Sequence, residues 1–173
     1  MVPNPLSPPQ KQILSQATQL VASGHADQAA PLFATLAQQL EASRHPRWAA
    51  NMHAAASHAY ADSQNEPQAL DQARSALSMF LQYQMARRTP VFYGNITRKL
   101  ASKGMSLAAE ALKTEFGNRV GPIPPPISPG TGQRRQLPTN CPKCGAPIHG
   151  NEANWVDPNT VECDFCGSLI RPE

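Results

Sequence analysis

The chain has 173 residues, 40% of them hydrophobic, and 15 basic against 12 acidic side chains, a net charge of +3. That is enough for one domain of ordinary size, or a domain with a small appendage, and too little charge to argue for nucleic acid by bulk electrostatics. No window approaches the roughly 18 apolar residues that cross a bilayer. The N-terminal MVPNPLSPPQKQ has neither the basic start nor the apolar run of a secretory signal, so the expected location is cytoplasmic.

Helical periodicity predicts six helices before the first cysteine. Ser7 is expected to cap the first, with Pro8 and Pro9 in its opening turn and Ile13, Leu14, Ala17, Leu20 and Val21 on one face, until Gly24 ends it. The second begins near Asp27 and carries Ala30, Phe33, Ala37 and Leu40; Pro31 argues for a later first turn or a kink. Pro46 opens the third, with Met52, Ala55, Ala56, Ala59 and Tyr60 inward. Pro67 opens the fourth along Leu70, Ala73, Leu77, Phe80 and Leu81. Thr89 is expected to cap the fifth, with Pro90 first and Phe92, Tyr93, Ile96 and Leu100 following. Ser106 is expected to cap the sixth, which buries Ala109, Leu112 and Phe116 before Gly117.

The helices pair into three hairpins at a spacing of about 40 residues, read from Ala29 to Ala69 to Ala108. Two helices per unit at such a period is the signature of an α-solenoid, and small residues let paired axes approach. Residues 7–118 thereby resemble the tetratricopeptide-repeat family, best in the first hairpin at Ala17, Leu20, Gly24, Ala29 and Phe33, with a repeat longer than that family's usual 34 or so. The resemblance implies a concave surface that binds a peptide or another protein; a closed helical bundle is the alternative. Asn51, His58, Asn95, Arg98 and Lys99 are candidates for the exposed face.

Gly121 to Pro138 follows, with nine of eighteen residues Gly or Pro. Proline fixes φ and lacks an N–H, so the stretch reads as an extended, semi-rigid linker spanning 119–140. Charge divides along the same lines. Residues 1–118 carry ten basic and seven acidic side chains and the linker three basic and none acidic, whereas the segment from Cys141 carries two basic and five acidic.

All four cysteines lie in that last segment, as Cys141-Pro-Lys-Cys144 and Cys163-Asp-Phe-Cys166, each followed by glycine. Two CxxC pairs eighteen residues apart predict a four-thiolate zinc site. Four thiolates leave no open coordination position, so one structural Zn²⁺ is expected and no catalytic metal. A module of 33 residues is also below the roughly 40 at which an apolar core holds a fold unaided. Ile148 and His149 suggest a strand; Trp155, Val156 and Thr160, Val161 flank Asp157-Pro158-Asn159, a good turn, with Phe165, Leu169 and Ile170 as cover. Residues Cys141 to Ile170 thus look like a zinc ribbon with two knuckles, and 141–173 is its expected extent. Disulfides would need an oxidising compartment, rubredoxin-type iron normally has more widely spaced knuckles, and nothing singles out one cysteine as a reactive thiol.

A ribbon that reads nucleic acid usually presents basic and aromatic side chains. Here Glu152, Asp157, Glu162 and Asp164 lie near the hairpin and oppose phosphate, Trp155 being core or a single platform; Arg134 and Arg135 are the counter-evidence. No phosphate loop, GxSxG, HExxH or GxGxxG motif occurs. His25, His45, His53, His58 and His149 read as surface or partly packed. The expectation is a mainly α protein, a helical-hairpin repeat with a small C-terminal β zinc ribbon. It would act without catalysis, small-molecule substrate or membrane, as an adaptor for a protein or peptide; a regulator contacting DNA or RNA through the ribbon is the alternative.

Overall fold

The structure, a computed structural model, describes residues 5–123, 137–148 and 154–171. Among these described residues six helices come first: α1 Pro8–Ala22, α2 Ala26–Ala42, α3 Pro46–Asp62, α4 Glu66–Gln82, α5 Arg88–Ser102 and α6 Ser106–Phe116. Three short strands follow, β1 Asn154–Asp157, β2 Thr160–Glu162 and β3 Leu169–Ile170, in one antiparallel sheet of order β1-β2-β3. The fold is therefore mainly α, a run of antiparallel helical hairpins with a small β region at the C-terminal end. Most of the linker lies outside the described residues.

The second helix of each hairpin begins at residue 26, 66 or 106, a spacing of 40 residues at both steps. A finer period is built into the backbone. Gly24, Arg44, Gln64, Gln84 and Gly104, twenty residues apart, all have positive φ. After each, an N–H reaches back to the last turn of the helix: His25 to Leu20, His45 to Leu40, Asn65 to Tyr60, Met85 to Phe80 and Met105 to Leu100, at 2.8–2.9 Å. This is one helix-terminating motif used five times, satisfying carbonyls that the helix end leaves without a donor. Only the two glycines announce it in sequence, since Arg44, Gln64 and Gln84 hold the left-handed conformation with a side chain, at a cost of about 1 kcal/mol or more each.

Ser7 caps α1 in a capping box with Gln10, as its spacing predicts. Three starts differ from expectation. α2 runs through Pro31 from Ala26, not from a later turn; Pro31 is exposed, so the carbonyl that loses its donor can be hydrated. α5 begins at Arg88, one residue before Thr89, whose hydroxyl donates to the Met85 carbonyl rather than capping. α6 is preceded by Met105, and Ser106 is its first residue; its first-turn Ala108 N–H is instead met by Glu66 of α4, at 3.0 Å.

The predicted inward residues of α4, α5 and α6 are buried or half-buried. α3 departs from a single inward face: Ala49, Ala50, Asn51, Met52, His53, Ala54, Ala56, Ser57, Ala59 and Ala61 are all buried. It lies between α2 and α4 and also meets the C-terminal region, which accounts for its run of alanines. The buried residues form two clusters. One joins α1, α2 and the adjoining face of α3 to Cys141, Cys144, Ala146, Cys163 and Ile170. The other joins the opposite side of α3 to α4, α5, α6 and Val120.

Candidate metal centre

Each CxxC pair sits on a tight turn of the same design. In the first, Gly145 donates its N–H to the Cys141 carbonyl at 2.8 Å, and Cys141 donates to Ala146 at 2.7 Å. In the second, Gly167 donates to Cys163 at 2.8 Å, and Cys163 to Ser168 at 2.9 Å. Gly145 and Gly167 have φ of +77° and +70°, conformations that a side chain would strain. The chain reverses after each second cysteine, and both sulfurs of a pair face the same point.

The two turns meet. All four sulfurs lie within 4.8 Å of one another. Cys141 Sγ is 3.6 Å from Cys166 Sγ, and Cys144 Sγ is 3.7 Å from Cys163 Sγ. A tetrahedral ion with metal–sulfur bonds of about 2.3 Å requires sulfurs about 3.8 Å apart, close to the two separations given, so the four cysteines form a donor set that could hold a metal ion. Ser168 Oγ, 3.1 Å from Cys166 Sγ, adds a polar partner. Without a cation the four thiols cannot all ionise. Hydrogen bonds with Cys144 and Cys166, then burial, push the Cys163 thiol up, whereas hydrogen bonds from Cys144 and Cys163 hold Cys166 down. A bound cation would offset the charge of four thiolates, and coordinated thiols ionise outright.

The sheet beside the sulfurs follows the predicted hairpin and adds to it. Asp157 pairs with Thr160, and the Asp157 carboxylate accepts the Asn159 N–H at 2.8 Å. Leu169 and Ile170, expected as cover, instead form β3 against Glu162 and Val161. The strand expected at Ile148–His149 is reduced to a bridge between Asn140 and Pro147, with the Ile148 N–H donating to Thr139; His149 and Glu152 lie outside the described residues.

Sequence reasoning missed that this region is packed onto the helices. Phe165 stacks on Phe33 of α2, ring centroids 6.0 Å apart. Arg88, at the start of α5, donates to the Asp164 carboxylate at 3.1 Å and to its carbonyl at 2.6 Å, and its Nε lies 3.9 Å from Glu162. Burial raises the Glu162 carboxyl above its ordinary range, with Arg88 opposing. The one available signal was the charge split: an acidic tail behind a basic helical region.

The candidates for an exposed face divide. Asn95 and Arg98 are exposed and Lys99 is paired with Asp62 at 2.8 Å. Asn51 is a correction: it is 1% exposed, because the region around Gly167 covers it. The His58 ring meets Phe92 edge-on at 5.4 Å with its Nδ1 buried. His53 is another correction. It is buried, with its two ring nitrogens 2.7 Å from Glu41 and 2.7 Å from Gln72. Trp155 is half-buried. Among the described residues no helix is long and apolar enough to cross a membrane. Comparison with protein-family models, curated proteins and solved structures gives no match.

Proposed function

We propose that the chain is a non-enzymatic interaction adaptor of the cytoplasm, in which the helical repeat engages a protein partner and a zinc ribbon completes the C-terminal end. The observation that carries the reading is the closed donor set. Cys141, Cys144, Cys163 and Cys166 would hold one Zn²⁺ with every position filled, so the ion supplies a cross-link and leaves no place for water or substrate. Four thiols at two matched turns suit zinc, which binds thiolates tetrahedrally and without redox chemistry. A reducing compartment keeps such thiols available as ligands.

The resemblance of the helices to tetratricopeptide repeats supports the partner. Of Ala17, Leu20, Gly24, Ala29 and Phe33, on which it rests, Ala17, Ala29 and Phe33 are buried, Leu20 half-buried and Gly24 exposed at the turn, and stacked hairpins of this kind offer extended surfaces for peptides. The test has two parts. Native mass spectrometry of the full chain is expected to find one zinc ion per chain, lost in Cys163→Ser. Affinity capture with and without nuclease is expected to retain protein partners after nuclease. Capture that disappears with nuclease would replace the adaptor with a regulator contacting nucleic acid through the ribbon and through Arg134 and Arg135.

A further inference from the structure

A cleft of about 750 Å³ opens between the start of α3, the turn from α4 to α5 and the second cysteine turn. Asn51 and Arg88 line it, and Asn51 Oδ1 is a buried acceptor with no hydrogen-bond partner among the described residues. Trp48, Met85 and Leu169 supply apolar wall, and Leu169 is 57% exposed. Arg47, Arg87 and Lys143 stand at the rim, all exposed. The acidic residue of the cleft, Glu162, faces Arg88.

We propose that this cleft binds an extended acidic peptide segment of a partner protein. The inference rests on the adaptor reading and gives it a surface, one that exists only where helices and ribbon meet. Three features select this ligand. A buried acceptor left open beside the cleft is expensive, and a peptide N–H answers it. A phosphodiester offers acceptors alone, which leaves the Asn51 oxygen unmet. The cationic rim selects carboxylate side chains, and the Trp48, Met85 and Leu169 wall accommodates an apolar side chain between them.

The probe is a fluorescein-labelled peptide alternating Glu with Leu and Phe, read by fluorescence anisotropy against the zinc-loaded full chain. The same peptide with Lys for Glu and an oligothymidylate serve as comparators. The acidic peptide is expected to bind best. Arg47→Glu with Arg87→Glu should weaken it roughly tenfold or more, and Asn51→Leu by roughly tenfold, with zinc content and far-UV circular dichroism unchanged. If Asn51→Leu disturbs the fold, the exposed-arginine variant carries the test alone. Acidic binding no tighter than that of the Lys peptide, or unaffected by the arginine variant, overturns the proposal; so does tighter binding of oligothymidylate. Nuclease-resistant partners that persist with the arginine variant would overturn the cleft and leave the adaptor standing, whereas capture that depends entirely on nucleic acid would overturn both.

Discussion

The helical region and the C-terminal sheet with its four cysteines hold short elements in place by opposite means. Each helix is 11 to 17 residues long, near the limit of what is stable alone, and gains its order from one repeated terminating turn and from neighbours on either side. The C-terminal strands have two to four residues, and what holds them is four sulfurs at one point and an apolar contact with α2. The difference teaches where each region is vulnerable. Stability in the array is spread over many similar contacts, so single changes should be felt in small amounts. In the C-terminal region it is concentrated at the four sulfurs, so the loss of one cysteine should remove most of it. The shared cluster around Phe33 and Cys141 joins the two regimes.

The sharpest break of this contrast is Cys163→Ser. Zinc supplies on the order of 10 kcal/mol to small thiolate modules, so the variant is expected to lose both its metal and the ordered environment of Trp155, visible in the fluorescence of the ribbon. The helices should remain, by far-UV circular dichroism. Next comes Phe33→Ala, which empties a site 2% exposed beneath Phe165 and should cost about 3–5 kcal/mol in urea unfolding. Because Phe33 shares a cluster with three of the cysteines, this change in α2 should also speed zinc release to a chelator. A stability loss with unaltered release would confine Phe33 to the helices.

Arg88→Ala tests the joint from its polar side. It leaves Glu162, 8% exposed, without its counter-ion, and roughly 3 kcal/mol of destabilisation is expected. The double variant with Glu162→Gln should recover part of that loss, and additive losses in the double-mutant cycle would contradict the pairing.

A smaller effect separates the regions by pH. Burial, then Lys99, lowers His58 from 6.5 to about 3, so the folded chain keeps the imidazole neutral. The unfolded chain takes up the proton below about pH 6.5, and the His58 contribution is whole above that pH and shrinks as pH falls toward 3. Between pH 6.5 and 5.5 the wild type should lose up to about 1 kcal/mol more than His58→Leu, measured by urea unfolding of both at each pH, which cancels the metal's own pH dependence. Smallest of all, Gln64→Gly should stabilise by about 0.5–1 kcal/mol, because the turn after α3 holds Gln64 at φ +61°.

What the sequence made legible was whatever has a local cause. Six helices follow from apolar periodicity, with prolines in the first turns of α1, α3, α4 and α5, and the convergence of four cysteines follows from two CxxC pairs and their glycines. The left-handed residues Arg44, Gln64 and Gln84 could not be read, because nothing in those side chains demands that conformation. The surrounding helices impose it. The Asn51 burial, the Arg88–Asp164 bond and the Phe33–Phe165 stack were equally hidden, because their partners are 76 or more residues away in the two cases where bond or stack crosses between regions. β3 escaped for the opposite reason. Two residues are too few to show an alternation.

Calorimetric unfolding of the zinc-loaded full chain, repeated after the metal has been chelated, tests the central claim that the ribbon is built onto the helices and held there by its ion. The account predicts that chelation removes the ribbon and also lowers the melting temperature of the helices, since Cys141, Cys144 and Cys163 share a core with α1, α2 and α3. A helical transition unmoved by loss of the metal would contradict it.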